Sequence, residues 1–229
     1  MNDVKDIRSF VVSSGVSGNT FDEYQKYNFR NAYIEPTVIE ERTMQMTAIS
    51  VYSRLLMDRT IFLGTNINDD VANIITAQLL WLEQQGETDI QLMINSGGGS
   101  VYSGYAIKDT MDFVKPDVST TIVGLAASMA AIISSSGTKG KRYALPHSRF
   151  MIHQPLSSLG EMVQASDIEI QSIEINKLKR ELYETLSLNS GLTFDNISNM
   201  ADRDNWMTAK EAIENGFVDS IVSRKEHGC

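Results

Sequence analysis

The sequence predicts an α/β fold in which helices cover a mainly parallel sheet. A unit of strand, turn and helix recurs three times, around Phe62, Met93 and Ile122, and such repetition implies right-handed crossovers between parallel strands. Beyond these units a helical pattern runs to about Asn189, with Ile173, Leu178, Leu182 and Leu186 on one face and charges on the other. A helix of this length projects from the body and suits subunit packing.

Residues 1–31 mix Ser, Gly, Asn and aromatics without a sustained period, which reads as a flexible leader or removable pro-segment ahead of one domain over 32–229. Ile34 to Ile49 alternates apolar and polar residues around Pro36, as a mobile loop or edge hairpin does. Val51 to Met57 reads as a short helix, and Thr60 to Leu63 as a strand closed by Gly64. Asn68 is a good N-cap with Asp69 and Asp70 in the first turn, and Val71, Ile74, Ile75, Leu79 and Leu82 recur at helical spacing. The strand Ile90 to Ile94 runs into the turn Asn95-Ser96-Gly97-Gly98-Gly99-Ser100. That turn lacks the Lys-Ser/Thr ending and the glycine spacing of phosphate loops, but its amides are available to another oxygen anion.

Val101 to Val114 reads as a helix stopped by Pro116, and Val118 to Val123 as a buried strand. The basic cluster Lys139-Gly140-Lys141-Arg142 reads as a solvated turn. Arg149 to Ile152 is a short strand, and Leu156 to Val163 is loosely patterned. Ser166-Asp167-Ile168-Glu169 forms a capping box that opens the long helix, which Gly191 ends. Thr193 to Met200, a loop over Asp202 to Asp204, a second capping box at Thr208-Ala209-Lys210-Glu211 and a last strand, Phe217 to Val222, complete the chain.

The 229 residues, 42% hydrophobic, are enough for one sizeable core. A net charge of −9 and a pI near 4.8 argue against nucleic-acid and anionic-membrane partners, which need a concentrated basic surface. The lone cysteine, Cys229, excludes an intramolecular disulfide and a thiol metal cluster. With no signal-peptide core and no spanning segment, a cytoplasmic protein is expected.

The small-residue run Gly124 to Ala131 places Ser128 at a strand-to-helix turn, where the first helical amides lack intrahelical partners. Close helix-on-sheet packing accounts for such a run as well. His153 is delivered at a strand end before Pro155, and a structural histidine would fit there too. Asp202-Arg203-Asp204 fits a solvated turn. Together, however, Ser, His and a later Asp supply a nucleophile, a general base and a carboxylate that fixes the imidazole tautomer. In parallel α/β folds chemistry gathers at the carboxyl ends of strands, where the Gly97 to Gly99 turn, Ser128 and His153 all fall.

With these residues assembled, the chain resembles the Clp protease family of self-compartmentalised serine peptidases. The likeness covers about Pro36 to Val222 and includes Ser53-Arg54-Leu55-Leu56, Ile61-Phe62-Leu63-Gly64, Ile94-Asn95-Ser96, Ala126-Ala127-Ser128-Met129, Met151-Ile152-His153-Gln154-Pro155 and Asp202-Arg203-Asp204. The resemblance implies a ClpP/crotonase-like fold with a handle over about 155–190. It assigns Ser128 as nucleophile, His153 as base, Asp204 as orienting acid, and the backbone N–H groups of Gly99 and Met129 as the oxyanion hole.

The resemblance also implies two stacked heptameric rings of this chain and an ATP-driven unfoldase ring of the ClpX, ClpA or ClpC type that delivers unfolded polypeptides. ATP is then used by that partner, with no cofactor or metal in this chain. Asp202 and Arg203 match positions that couple ring-to-ring contacts to the active site. Three departures stand out: Gly97 replaces the family's Pro in the oxyanion turn, Ser157 to Gln164 replaces a Gly-rich segment, and Gln91 and Met93 stand where relatives carry docking-pocket aromatics. A non-catalytic or weakly active structural subunit of a mixed ring is the alternative. An acyl-CoA enzyme of crotonase architecture would need no Ser-His-Asp set.

Overall fold

The computed structural model describes residues 37–42, 45–157 and 164–223, which fall into two compact units divided after Val51. The expected leader over 1–31 lies outside the described residues. In the first unit, β1 (Thr37–Arg42) and β2 (Gln45–Ser50) pair antiparallel, Thr37 opposite Ser50, so the hairpin alternative for this stretch holds.

The chain continues through α1 (Val51–Met57), β3 (Thr60–Leu63), α2 (Asp69–Gln84), β4 (Ile90–Ser96), α3 (Val101–Phe113), β5 (Val118–Ala127) and α4 (Met129–Ser135). These are the predicted repeats of strand, turn and helix. Then follow β6 (Arg142–Ala144), β7 (Arg149–Ile152), α5 (Ala165–Ser190), α6 (Phe194–Met200), β8 (Asn205–Thr208), α7 (Ala209–Glu214) and β9 (Ser220–Ile221). The sheet runs β3-β4-β5-β6-β9, with β7 beside the far half of β5 and β8 beside β7. Every pairing is parallel except β7 with β8.

The core is built as the patterns dictate. Strand β4 alternates buried Ile90, Leu92 and Ile94 with more exposed neighbours, and α2 buries Ala72, Ile75, Leu79 and Leu82 against the sheet. Burying a residue such as Leu79 removes about 1.5–3 kcal/mol of apolar exposure. Asn68 caps α2 as expected, accepting from the Val71 amide at 2.9 Å. Among the described residues, no helix is long and apolar enough to cross a membrane.

Several local expectations are corrected. Ile74 is 57% exposed, because it faces away from the sheet. Strand β5 continues through Gly124 to Ala127, since pairing with β4 and β7 outweighs the weak strand preference of Gly and Ala. The long helix opens at Ala165, one residue ahead of the expected capping box at Ser166, and its N-cap Gln164 makes no side-chain cap bond. Its first turns leave Ile168, Ile170 and Ile173 exposed, while Leu182, Tyr183 and Leu186 are buried, so the helix does project from the body.

Arg142 is not solvated. It is 3% exposed and bonds Asp219, the Asn189 carbonyl and the Ser135 carbonyl. The expected last strand shrinks to Ser220–Ile221. Phe217 and Val218 instead turn back to bond the Ala212 carbonyl, and Phe217 stacks on Phe150 in the core at 4.9 Å. Asn205 to Thr208, between the expected Asp202 to Asp204 loop and the helix that Thr208 caps, is a strand because β7 offers it a partner.

Candidate active site

The register between β4 and β5 sets where Ser128 emerges. Ile94 pairs with Ile122 and Ser96 with Ala126, so one residue, Asn95, faces three: Val123, Gly124 and Leu125. This bulge frees the Leu125 amide from the ladder, and the Asn95 Oδ1 accepts it at 3.1 Å. Strand β5 thereby runs past the end of β4 and delivers Ser128 beside the Gly97 to Gly99 turn.

Ser128 has φ 56° and ψ −124°, a region that side chains with a Cβ rarely occupy. Such a conformation costs about 1–3 kcal/mol and persists only where its surroundings determine it. Here the Ser128 amide donates to the Met151 carbonyl at 2.9 Å, and the Ser128 carbonyl accepts from the Ala131 amide at 3.0 Å. Every residue of α4 is buried, which leaves the turn no room to relax. The sharp turn holds the hydroxyl out at the strand end, as a nucleophile elbow does.

Strands β7 and β8 bring the other two side chains in. Ile152 pairs with Asn205 in the antiparallel ladder, and one step further in that register sets His153 opposite Asp204. The His153 Nδ1 lies 3.1 Å from the Asp204 Oδ1, and its Nε2 lies 2.8 Å from the Ser128 Oγ. An ionised carboxylate only accepts, so the Nδ1 carries the proton and the Nε2 is left to accept from the hydroxyl. An imidazole so held can take the hydroxyl proton while the oxygen attacks an acyl carbon.

Opposite Ser128, the glycine turn is pinned from behind. The Ile67 amide donates to the Gly98 carbonyl at 2.8 Å, and the Ser100 amide donates to the Ile67 carbonyl at 3.0 Å. In such a parallel bridge the Gly99 N–H points away from Ile67. Gly98 has φ 91°, and a Cβ there would stand 2.7 Å from the Ser128 Cβ and 2.9 Å from the Met129 nitrogen. Only a bare backbone can approach that closely. The Met129 amide, the first in α4, has no intrahelical partner. Sequence reasoning missed Ile67 and Asn95; the Asn beside a Gly-rich turn was the one available signal.

A cavity of about 310 Å³ opens beside Ser128, walled largely by Val101, Ile132, Leu156, Leu182 and Leu186. It suits an apolar side chain of a bound molecule. Asp202 and Arg203 sit on the loop that carries Asp204. Their side chains are 66% and 90% exposed, with 3.8 Å between the Arg203 Nε and the Asp202 Oδ2. Among the described residues, neither side chain makes a hydrogen bond or ion pair with Ser128 or His153.

The profile of the Clp protease family matches residues 42–225. The chain is 49% identical over 211 residues to the ATP-dependent Clp protease proteolytic subunit of Porphyromonas gingivalis, covering 92% of this chain and 93% of that protein. It is 52% identical over 194 residues to the subunit of the same name from Bacteroides fragilis (84% and 93% covered). For that of Lactococcus lactis the identity is 47% over 191 residues (83% and 96% covered). With its parallel sheet, its strained serine and this match over most of its length, the chain belongs to the Clp protease family.

Proposed function

We propose that this chain is a serine endopeptidase that hydrolyses unfolded polypeptides through an acyl-enzyme on Ser128. His153 takes the Ser128 proton at Nε2 as the Oγ attacks the scissile carbonyl. Asp204 holds the imidazole in the required tautomer and stabilises it when protonated. The amides of Gly99 and Met129 receive the oxyanion, each worth about 3 kcal/mol in the transition state. When the intermediate collapses, the C–N bond breaks and the leaving amine takes the proton from His153; a water then repeats the sequence to release the acyl group. The apolar cavity receives a side chain beside the cleaved bond.

One observation carries this reading: the Ser128 Oγ, both His153 nitrogens and the Asp204 carboxylate form one hydrogen-bonded line, 2.8 Å and 3.1 Å long at its two joints. The relatives' shared name supports ATP-dependent work, in which an unfoldase ring spends the ATP and this chain needs no cofactor. Two stacked heptamers in the cytoplasm are the assembly we assign. Asp202 and Arg203 contribute to ring contact, a role their exposure on the acid-bearing loop supports.

A serine-directed fluorophosphonate tests the reading. Intact-mass detection should show one adduct on the wild type and none on Ser128→Ala, which should also lose peptide hydrolysis. Hydrolysis that survives Ser128→Ala would mean a different nucleophile. A wild type that assembles yet neither labels nor cleaves would favour the structural-subunit reading. Native mass spectrometry should find a heptamer or tetradecamer.

A further inference from the structure

The Asp204 side chain is 62% exposed, and among the described residues its one hydrogen bond is to His153. Little around the carboxylate itself holds it, so its position depends on the backbone that carries it. That backbone is gripped at two successive carbonyls. The Gln154 Nε2 donates to the Asp202 carbonyl at 2.8 Å, and the Tyr183 hydroxyl donates to the Ala201 carbonyl at 3.2 Å. Tyr183 is 1% exposed, a fixed point in α5. Gln154 follows His153 directly, so one short segment holds both the imidazole and the loop facing it.

Gln154 can serve only in one orientation of its amide. The Lys179 Nζ, also on α5 and 5.5 Å from the centre of the Tyr183 ring, donates to the Gln154 Oε1 at 3.2 Å. An ammonium never accepts, so Lys179 holds the oxygen toward itself and leaves the NH₂ aimed at Asp202. This selects the amide orientation just as Asp204 selects the tautomer of His153.

We propose that Gln154 is a positioning residue for Asp204, oriented by Lys179, so that the placement of α5 is transmitted to the Ser128–His153 pair. The proposal rests on the peptidase reading above. It predicts that the Gln154 donor matters while its bulk does not. Gln154→Glu keeps the size and the contact with Lys179 but cannot donate to the Asp202 carbonyl.

The test is the rate of fluorophosphonate labelling against pH in the full chain, with thermal melting alongside. Gln154→Glu and Lys179→Met should lower the labelling plateau by about tenfold, less than the hundredfold that an ångström of misplacement can cost. Lys179→Arg, still a donor, should restore it, and melting should stay at the wild-type value. Three results overturn the proposal while leaving the peptidase reading intact: a wild-type plateau in Gln154→Glu, a shifted midpoint at an unchanged plateau, or a fall seen only where melting falls too. A wild type that does not label at all overturns both.

Discussion

The side chain of Met129 occupies the space that a Cβ on Gly104 would fill. Such an atom would stand 2.1 Å from the Met129 Cγ and 2.7 Å from its Cε. Gly104 lies inside α3, where Ala would favour the helix by about 1 kcal/mol. The seat it leaves for Met129 fixes the residue whose amide we assign to the oxyanion. Gly104→Ala should therefore overpack the contact at about 1–3 kcal/mol, and the net loss of stability should be small. Turnover should fall further, toward a hundredfold if the Met129 amide is displaced. Steady-state kinetics on a fluorogenic peptide should show a reduced kcat with KM little changed, beside a nearly normal melting curve.

Two adjacent glycines of the turn beside Ser128 should respond differently to the same change. Gly97 lies outside the positive-φ region, and a Cβ there would meet only the exposed Asn66 side chain, at 3.3 Å. Gly97→Ala should retain labelling and raise stability by about 0.4–1 kcal/mol by restricting the unfolded chain. Gly98→Ala combines φ 91° with a Cβ 2.6 Å from the Ala127 carbonyl oxygen. It should abolish labelling of Ser128. Equal labelling of the two variants would show that the turn does not press on Ser128.

How far the sequence could be read depended on where the determining contacts lie. Ser128, His153 and the repeats of strand, turn and helix were legible because short-range patterns carry them: β-branched runs, caps, a proline after a strand. The same holds for the Thr208 capping box, which forms with the Glu211 carboxylate 2.7 Å from the Thr208 amide. Strand β8 was not legible, since its four residues, Asn205 to Thr208, are too few to set a period and Thr208 also opens a capping box; the β7 edge imposes the conformation. Arg142 looked solvated because its partner Asp219 is far along the chain. The grip of Gln154 and Tyr183 on the Asp204 loop is likewise long-range, with no periodicity to announce it.

Arg142 and Asp219 form a nearly buried ion pair on which stability should depend. Their side chains are 4% and 19% exposed and 2.6 Å apart, and Asp219 also accepts from the Gly140 and Arg142 amides. Burial alone would raise the Asp219 carboxyl; the guanidinium and the amide donors outweigh it and hold the carboxyl below its ordinary range. The unfolded chain thus binds this proton more readily, so the pair's stabilisation is full above the unfolded value of about 3.9 and is lost as pH falls through the lower folded value. Asp219→Ala leaves a buried guanidinium unpaired and should cost about 3–5 kcal/mol. Chemical denaturation from pH 7 down to pH 3 should show the wild type losing its advantage over the variant only at the acid end.

Because Asp204 selects the tautomer of His153 in this arrangement, two substitutions at position 204 should rank in an unexpected order. Asn at position 204 presents an NH₂ as readily as an oxygen. By donating to the His153 Nδ1 it would favour the tautomer whose Nε2 carries the proton, which cannot accept from Ser128. Ala presents nothing, and since the Asp204 side chain is 62% exposed, water can enter and permit either tautomer. Asp204→Asn should therefore lower kcat by about 10⁴, the scale seen when a triad carboxylate becomes an amide. Asp204→Ala should be the less damaged of the two, despite removing more of the side chain. A rank order with Asn above Ala would mean that Asp204 acts by charge alone rather than by choosing which nitrogen of His153 holds the proton.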